Sequence, residues 1–358
     1  MANISNTWAK FISIGKYIGA GLIVYSLISG LLVPLKPGIL AVEPVTLDAG
    51  KQSVIHVTGY NTHFEEGKEL SAFLKFNDGT FLESANNLVR SGKKMDIAFH
   101  IPYPLPFPDR VSDAVLVVNS PEDGTMIKPA AVTVRQAVLP VATEMDGVFL
   151  KDAGKLHVHD AWSFPYRGIL EETIRNIFYH VPLWIAMVVL FVLSVVSSLY
   201  FLKTKQEKYD EIAVATTSIG ILLGILGLAT GAVWAKNTWG QYWSGDIKQS
   251  MTAIALLIYF AYFILRSSLE DDVKKYSLSA VYNIFAFVAL IPLIFVIPRL
   301  TDSLHPGNGG NPALGGEDLD NSMRLVFYPA CIGWILLSLW MSDILRRIIR
   351  LERSTQND

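Results

Sequence analysis

Val181-Pro182-Leu183-Trp184-Ile185-Ala186-Met187-Val188-Val189-Leu190-Phe191-Val192-Leu193-Ser194-Val195-Val196-Ser197-Ser198-Leu199-Tyr200-Phe201-Leu202 runs without a single charged residue. A helix of this length, at about 1.5 Å of rise per residue, crosses the ~30 Å hydrocarbon core of a bilayer. Five more segments share the property: 17–35, 212–235, 249–265, 276–298 and 325–342. Composition agrees, with 51% hydrophobic and 17% charged residues, where a soluble globular chain carries about 25% charged. The fold class this implies is an all-α membrane bundle of six transmembrane helices. The first segment is long for the apolar core of a signal peptide and has no clean small-x-small cleavage site, so it reads as a retained anchor.

Basic residues in short loops set the orientation. Twelve fall on one side: Lys10 and Lys16, then Lys203, Lys205 and Lys208, then Arg266, Lys274 and Lys275, and finally Arg346, Arg347, Arg350 and Arg353. Four fall in the short loops on the other side: Lys236, Lys248, Arg299 and Arg324. Both termini are therefore expected in the cytoplasm, with the long region between the first two spans outside. The net charge of −2 gives no basis for a nucleic-acid partner. Cys331 is the one cysteine, which excludes an internal disulfide and a Cys-based metal cluster, and no Cys-x-x-Cys-His is present for covalent heme attachment.

The outside region, 42–135, reads as all-β. Strands are expected at 53–60, 72–76, 95–101, 114–118 and 131–134, and Asn77-Asp78-Gly79 is a hairpin signal. Several short strands between Gly, Pro and Asn turns suggest an inserted immunoglobulin-like sandwich. The domain reading is thus 1–41 as an N-terminal anchor helix, 42–135 as the β-sandwich, 136–175 as an extracytoplasmic linker, and 176–358 as a five-helix membrane domain with a cytoplasmic tail.

Between the third and fourth spans lies Trp234-Ala235-Lys236-Asn237-Thr238-Trp239-Gly240-Gln241-Tyr242-Trp243-Ser244-Gly245-Asp246. Aromatic residues at a membrane surface form interfacial belts. A belt does not require a glycine-punctuated run ending in Asp, whereas a row of flat rings is a platform for a large flat ligand. Asp246 either orients a ligand or partner, or caps the fourth span. Of the seven histidines, His56, His63 and His100 read as surface or hydrogen-bonded residues of the β-domain. His157 and His159 share a strand face but have no carboxylate or Cys at ligand spacing. His180 opens the second span, with Pro182 in a first-turn position that tolerates it. His305 lies in Ser303-Leu304-His305-Pro306-Gly307, between the fifth and sixth spans. By the expected topology His180, the aromatic loop and His305 lie at the same face, as a six-coordinate heme held by two imidazoles requires. Gly220, Gly224, Gly227 and Gly231 fall on one face of the third span and read as a packing seam.

These residues resemble the heme-handling proteins of cytochrome c assembly, most closely the heme exporter protein C (CcmC) family. The likeness lies in Tyr179-His180-Val181-Pro182-Leu183-Trp184, in Trp239-Gly240-Gln241-Tyr242-Trp243-Ser244-Gly245-Asp246, in Leu304-His305-Pro306, and in the approach Glu171-Glu172-Thr173-Ile174-Arg175. It spans all six segments. What the resemblance implies is a carrier rather than an enzyme. Transient, non-covalent b-type heme would be ligated by His180 and His305 at the periplasmic face of a bacterial inner membrane. Trp239, Tyr242, Trp243, Asp246 and Trp234 would complete the site. The implied partners are a periplasmic heme chaperone (CcmE-like) and ABC transporter subunits (CcmA/CcmB-like). The family loop usually has Trp where this chain has Gly245, so one ring contact is missing or comes from another residue such as Trp234. A Trp at 245 is therefore expected to hold heme at least as tightly.

Arg175, Lys236, Lys248, Arg299 and Arg324 are on the correct side to meet heme propionates, or simply flank the membrane. A membrane b-type cytochrome in electron transfer is the competing class, but it needs paired His inside the bilayer, and no span has a His away from its end. A receptor with a mere membrane anchor would need one helix, not six.

Overall fold

Pro34 ends the first long helix. Proline disfavours helical backbone in the residue before it, and in the computed structural model α1 spans Ala2–Leu32, three residues short of the expected limit at 35. The structure describes residues 2–67, 69–105, 109–136, 148–168, 170–305, 315 and 319–356, with backbone alone at 2–11 and 356. Pro306 and Gly307 of the His305 motif and 137–147 of the expected linker lie outside the described residues. The chain divides into two compact units, 33–172 and 1–32 with 173–358.

In the helical unit a 3-10 helix, Glu171–Phe178, leads into α2, His180–Thr204. There follow α3, Glu207–Trp239, α4, Ile247–Ser267, and α5, Asp272–Ile291. A π-helical turn, Pro292–Val296, joins α5 to α6, Ile297–Leu300. Pro292 has no N–H to donate, and the helix absorbs it as a wide turn instead of breaking. The last helix, α7, spans Asn321–Gln356. Among the described residues six helical segments are long and apolar enough to cross a membrane.

Glycines bring these helices close. Cβ atoms added at Gly220, Gly224, Gly227 and Gly231 of α3 would come within 2.6 Å of Phe191, 2.5 Å of Leu256, 2.8 Å of Trp184 and 2.8 Å of His180. Three of these neighbours, Phe191, Trp184 and His180, lie on α2, and Met187 of α2 also approaches Gly224. Small residues on a helix face permit such contact, as membrane helices commonly require. Gly19 and Gly333 do the same for α1 and α7. Deeper in the bundle Ser194 donates to the Ala213 carbonyl at 2.9 Å and lies 2.6 Å from the Thr217 hydroxyl. Asn283 of α5 donates to Ser194 and Ser198 at 2.6 and 2.9 Å.

At the end of the bundle where α3 begins and α4 ends, acidic and basic side chains pair. Asp210, 2% exposed, accepts two bonds from Arg266 at 2.8 and 2.6 Å and one from Arg353 at 2.5 Å. Arg350 pairs with the buried Glu211 at 2.8 Å, and Arg346 with Asp343 at 2.7 Å. Both Arg266 and Arg353 lie over the Tyr276 ring. The arginines of the expected tail thus belong to the continuous helix α7.

The other unit holds two sheets, in strand orders β1-β3-β7-β6 and β2-β9-β8-β4-β5. The strands are β1 Gly38–Glu43, β2 Thr46–Asp48, β3 Gln52–Tyr60, β4 Ser71–Lys75, β5 Phe81–Glu83, β6 Asn86–Ser91, β7 Lys94–His100, β8 Val111–Ser120 and β9 Gly124–Arg135. One core takes residues from both sheets, with Ile55, Met95, Ile97 and Phe99 from one and Leu74, Leu116, Val118 and Val134 from the other. Alternation in β7, buried at every second residue, is the physical basis for this two-faced arrangement. The Asn77-Asp78-Gly79 signal forms its turn: Asp78 accepts from the Thr80 N–H at 2.9 Å and Gly79 has φ +88°. His56 and His63 bond Asp96 and Asp123 at 2.7 and 3.0 Å. Among the described residues no three His, Cys, Asp or Glu side chains gather as a metal site.

Candidate functional site

The opposite end of the helical unit, where α2 and α4 begin and α3 ends, holds a cavity of about 420 Å³. Its lining is largely apolar, from Val181, Ile185 and Val188 of α2, Leu228 of α3, and Ile294, Phe295 and Pro298. The last three belong to the π turn and α6, so the widened backbone at Pro292 is what places this part of the wall. Both His180 and His305 line the cavity, with Lys248, Gln249 and Thr252 from the first turns of α4.

The two imidazoles are held alike. Nδ1 of His180 lies 2.9 Å from the Gly227 carbonyl and 3.1 Å from the Thr230 hydroxyl. A carbonyl only accepts, so this nitrogen carries the proton and Nε2 carries the lone pair. Nδ1 of His305 lies 2.9 Å from Oδ1 of Asp246, and a carboxylate likewise leaves Nε2 with the lone pair. Burial pushes His305 below the ordinary imidazole range, against the upward pull of the Asp246 carboxylate. A neutral ring with a fixed tautomer is the form in which histidine ligates a metal.

Asp246 does more than either role expected of it alone. It is the N-cap of α4, accepting from the Lys248 N–H at 2.9 Å. It also accepts from the Ser303 hydroxyl at 2.8 Å and the Leu304 N–H at 2.9 Å. One buried carboxylate therefore caps a helix, anchors the segment that carries His305, and turns its ring. Burial alone would raise its pKa, but the Leu304, Ser303 and His305 contacts outweigh it and hold the group below the usual carboxylate value.

The aromatic run divides. Trp234 and Trp239 lie on α3, which extends past the expected limit at 235 because Asn237 bonds the Val233 carbonyl and Lys236 reaches the Gly240 carbonyl. Gly240, with φ +82°, ends the helix as its left-handed cap. Trp234 and Trp239 pack edge to face at 4.9 Å, and both flank the His305 ring, at 5.6 and 4.8 Å. Tyr242 and Trp243 are 60% and 47% exposed and lie apart from this cluster. Their loop is tied down by Gln249, which accepts from Ser244 and donates to the Tyr242 carbonyl. Of the five candidate cations only Lys248 lines the cavity. Arg175 bonds the Gly30 carbonyl, Lys236 the Gly240 carbonyl and Arg324 the Asn321 side chain, and Arg299 is exposed.

Sequence reasoning gave no role to Gln249 and Thr230, nor to Trp184 and Ser303, which stand inside the two histidine motifs. The signal for Trp184 was its place four residues after His180 on one helix face. The glycine seam, read as structural, also gives His180 the Gly227 carbonyl and the space beside Gly231.

The sequence model of the family described as heme exporter protein C (CcmC) matches residues 157–358, more than half of the chain. The chain belongs to the heme exporter protein C family. The matched residues carry the two histidines, the aromatic run and Asp246, and the fold with its six apolar segments is that of a multi-pass membrane protein. Similar proteins include the heme exporter protein C of Bradyrhizobium diazoefficiens, 29% identical over 189 residues, covering 50% of this chain and 69% of that protein. That of Paracoccus denitrificans is 26% identical over 167 residues, covering 47% and 69%. A cytochrome c biogenesis protein CcsA of Prochlorococcus marinus is 38% identical over 82 residues, covering 23% and 26%.

Proposed function

We propose that this chain handles heme in cytochrome c biogenesis, holding it between His180 and His305 at the periplasmic face of a bacterial inner membrane. The heme is b-type and transient, bound without a covalent link, and passes to a periplasmic heme chaperone of the CcmE kind beside ABC transporter subunits of the CcmA and CcmB kind. The observation that carries this reading is that two imidazoles line one largely apolar cavity, each with Nδ1 on a fixed acceptor and its lone pair on Nε2. Trp234 and Trp239 steady the His305 ring, and Asp246 acts as its positioning residue. Lys248 is the cation for a propionate. Tyr242 and Trp243, exposed on the loop, meet the heme edge or the chaperone. No bond-making step is asked of the chain, so the role is that of a carrier and not an enzyme.

The 42–135 segment is, in this reading, an immunoglobulin-like module on the periplasmic side, joined by the 136–175 linker and outside the heme chemistry. Support comes from its two sheets around one core.

The test is the absorption spectrum of the purified protein. Wild type is expected to give a six-coordinate bis-imidazole heme band. His180→Ala and His305→Ala should each lose it and retain heme more than 100-fold less well, since even the loss of a partner behind a ligand costs 10–100-fold. A full six-coordinate spectrum in either variant removes that histidine from the site.

A further inference from the structure

The two imidazoles differ in one respect. The indole N–H of Trp184 donates to Nε2 of His180 at 3.1 Å. The lone pair that would meet a metal is therefore already shared with a hydrogen-bond donor. Among the described residues Nε2 of His305 accepts no such bond. Trp184 is set in this position by local geometry. It lies one turn after His180 on the same face of α2, its ring rests where a Cβ at Gly227 would approach to 2.8 Å, and its edge meets the His180 ring at a centroid distance of 5.9 Å. It also lines the same cavity.

We infer that Trp184 competes with heme iron for Nε2 of His180, so that heme engages His305 first and His180 second, and leaves His180 first. The inference rests on the axial-ligand reading above and adds an order to it. An imidazole lone pair serves one partner at a time. Bond formation to iron at His180 requires the Trp184 N–H to withdraw, and its return favours release on that face. A carrier that must give up its cargo gains from one ligand being weakened in this way, while the other, backed by the Asp246 carboxylate, stays firm.

The experiment compares wild type with Trp184→Phe, which keeps an aromatic ring beside Gly227 and removes the N–H donor. The first measurement uses no heme. Diethyl pyrocarbonate acylates the lone-pair nitrogen of a neutral imidazole, and peptide mass spectrometry reads each histidine separately. Trp184→Phe is expected to raise the labelling rate at His180 about fivefold, the loss of one neutral hydrogen bond of ~1 kcal/mol converted at 1.4 kcal/mol per decade, and to leave His305 unchanged. An unchanged rate at His180 overturns the inference whatever heme does. The second measurement mixes each protein with heme and follows absorbance. Wild type is expected to pass from five-coordinate to six-coordinate in a distinct slower phase, which Trp184→Phe shortens about fivefold. If labelling at His180 rises and the slow phase does not change, the competition is wrong. His180→Ala separates the two failures: a six-coordinate spectrum in that variant means that the axial-ligand reading itself has failed.

Discussion

The two ends of the helical unit use polar residues in opposite ways. At one end Asp210 takes bonds from two arginines, Glu211 takes Arg350, and Asp343 takes Arg346 and Arg347. Charges there neutralise one another and tie the start of α3 to the end of α4 and to α7. At the other end the acceptors Gly227 and Asp246 engage only one nitrogen of each imidazole. Both rings line a largely apolar cavity; the second nitrogen of His180 takes the Trp184 N–H, and among the described residues that of His305 accepts no such bond. One end closes its charges on one another, and the other leaves the Nε2 lone pair of His305 unshared among the described residues and that of His180 held by a single neutral donor. In the proposed reading this is the difference between a fastening and a binding site, made from the same kinds of side chain.

Asp210→Asn should have the largest effect. It leaves Arg266 and Arg353 without their shared carboxylate in a buried place, a change that typically costs about 3–5 kcal/mol. Thermal unfolding in detergent should show it, while the folded fraction keeps its heme spectrum. A loss below about 1 kcal/mol would break the contrast between the two ends. Asp246→Asn comes next. Asparagine remains a good helix cap, but its amide must set an NH₂ group against the donors from Ser303, Leu304 or His305. Heme affinity should fall about 10–100-fold with little change in unfolding temperature. A large drop in stability instead would make Asp246 a fastening too.

Gly245→Trp ranks third and reverses the expectation drawn from the family pattern. Gly245 has φ +74°, and an L-residue in left-handed backbone costs roughly 1–2 kcal/mol. There is open space around it, so strain and not crowding decides. Heme retention should fall up to tenfold, and a tighter complex would show that the loop rearranges to accept the ring. Trp243→Ala should do least to heme retention, within about 0.5 kcal/mol, as for other exposed side chains. Titration of heme into this variant checks it, and a loss as large as that of Asp246→Asn would move Trp243 into the site.

Much of this was legible from the chain. Uninterrupted apolar length revealed all six spans, because a bilayer demands it whatever the partner helices are. The inward alternation of β3 and β7 was equally plain. The edge strands were not: β2 and β5 have three residues each, and β6, Asn86-Asn87-Leu88-Val89-Arg90-Ser91, is too polar to announce itself. Helix ends were misjudged wherever a local contact outweighed polarity, as at Asn237 and Lys236. The chain singles out His180 and His305, which line one cavity, but not their tautomers, which depend on a carbonyl 47 positions away and a carboxylate 59 positions away. Backbone handedness at Gly245 was hidden for the same reason, since only the folded loop defines it.

The glycine seam between α2 and α3 carries one more consequence. Its members recur once per helical turn, and so do the rings and Met187 that face them. Sliding α2 along α3 by a single turn would therefore seat Trp184 near Gly231, Met187 near Gly227 and Phe191 near Gly224, and shape alone would accept it. What rules out the slip is polar and lies at the two ends of the seam: His180 to the Gly227 carbonyl at one end, and Ser194 to Ala213 and Thr217 at the other. His180 is thus half of the device that selects the register of the two helices, and a variant lacking it along with Ser194 would have a repeating interface with no mark to say where to stop.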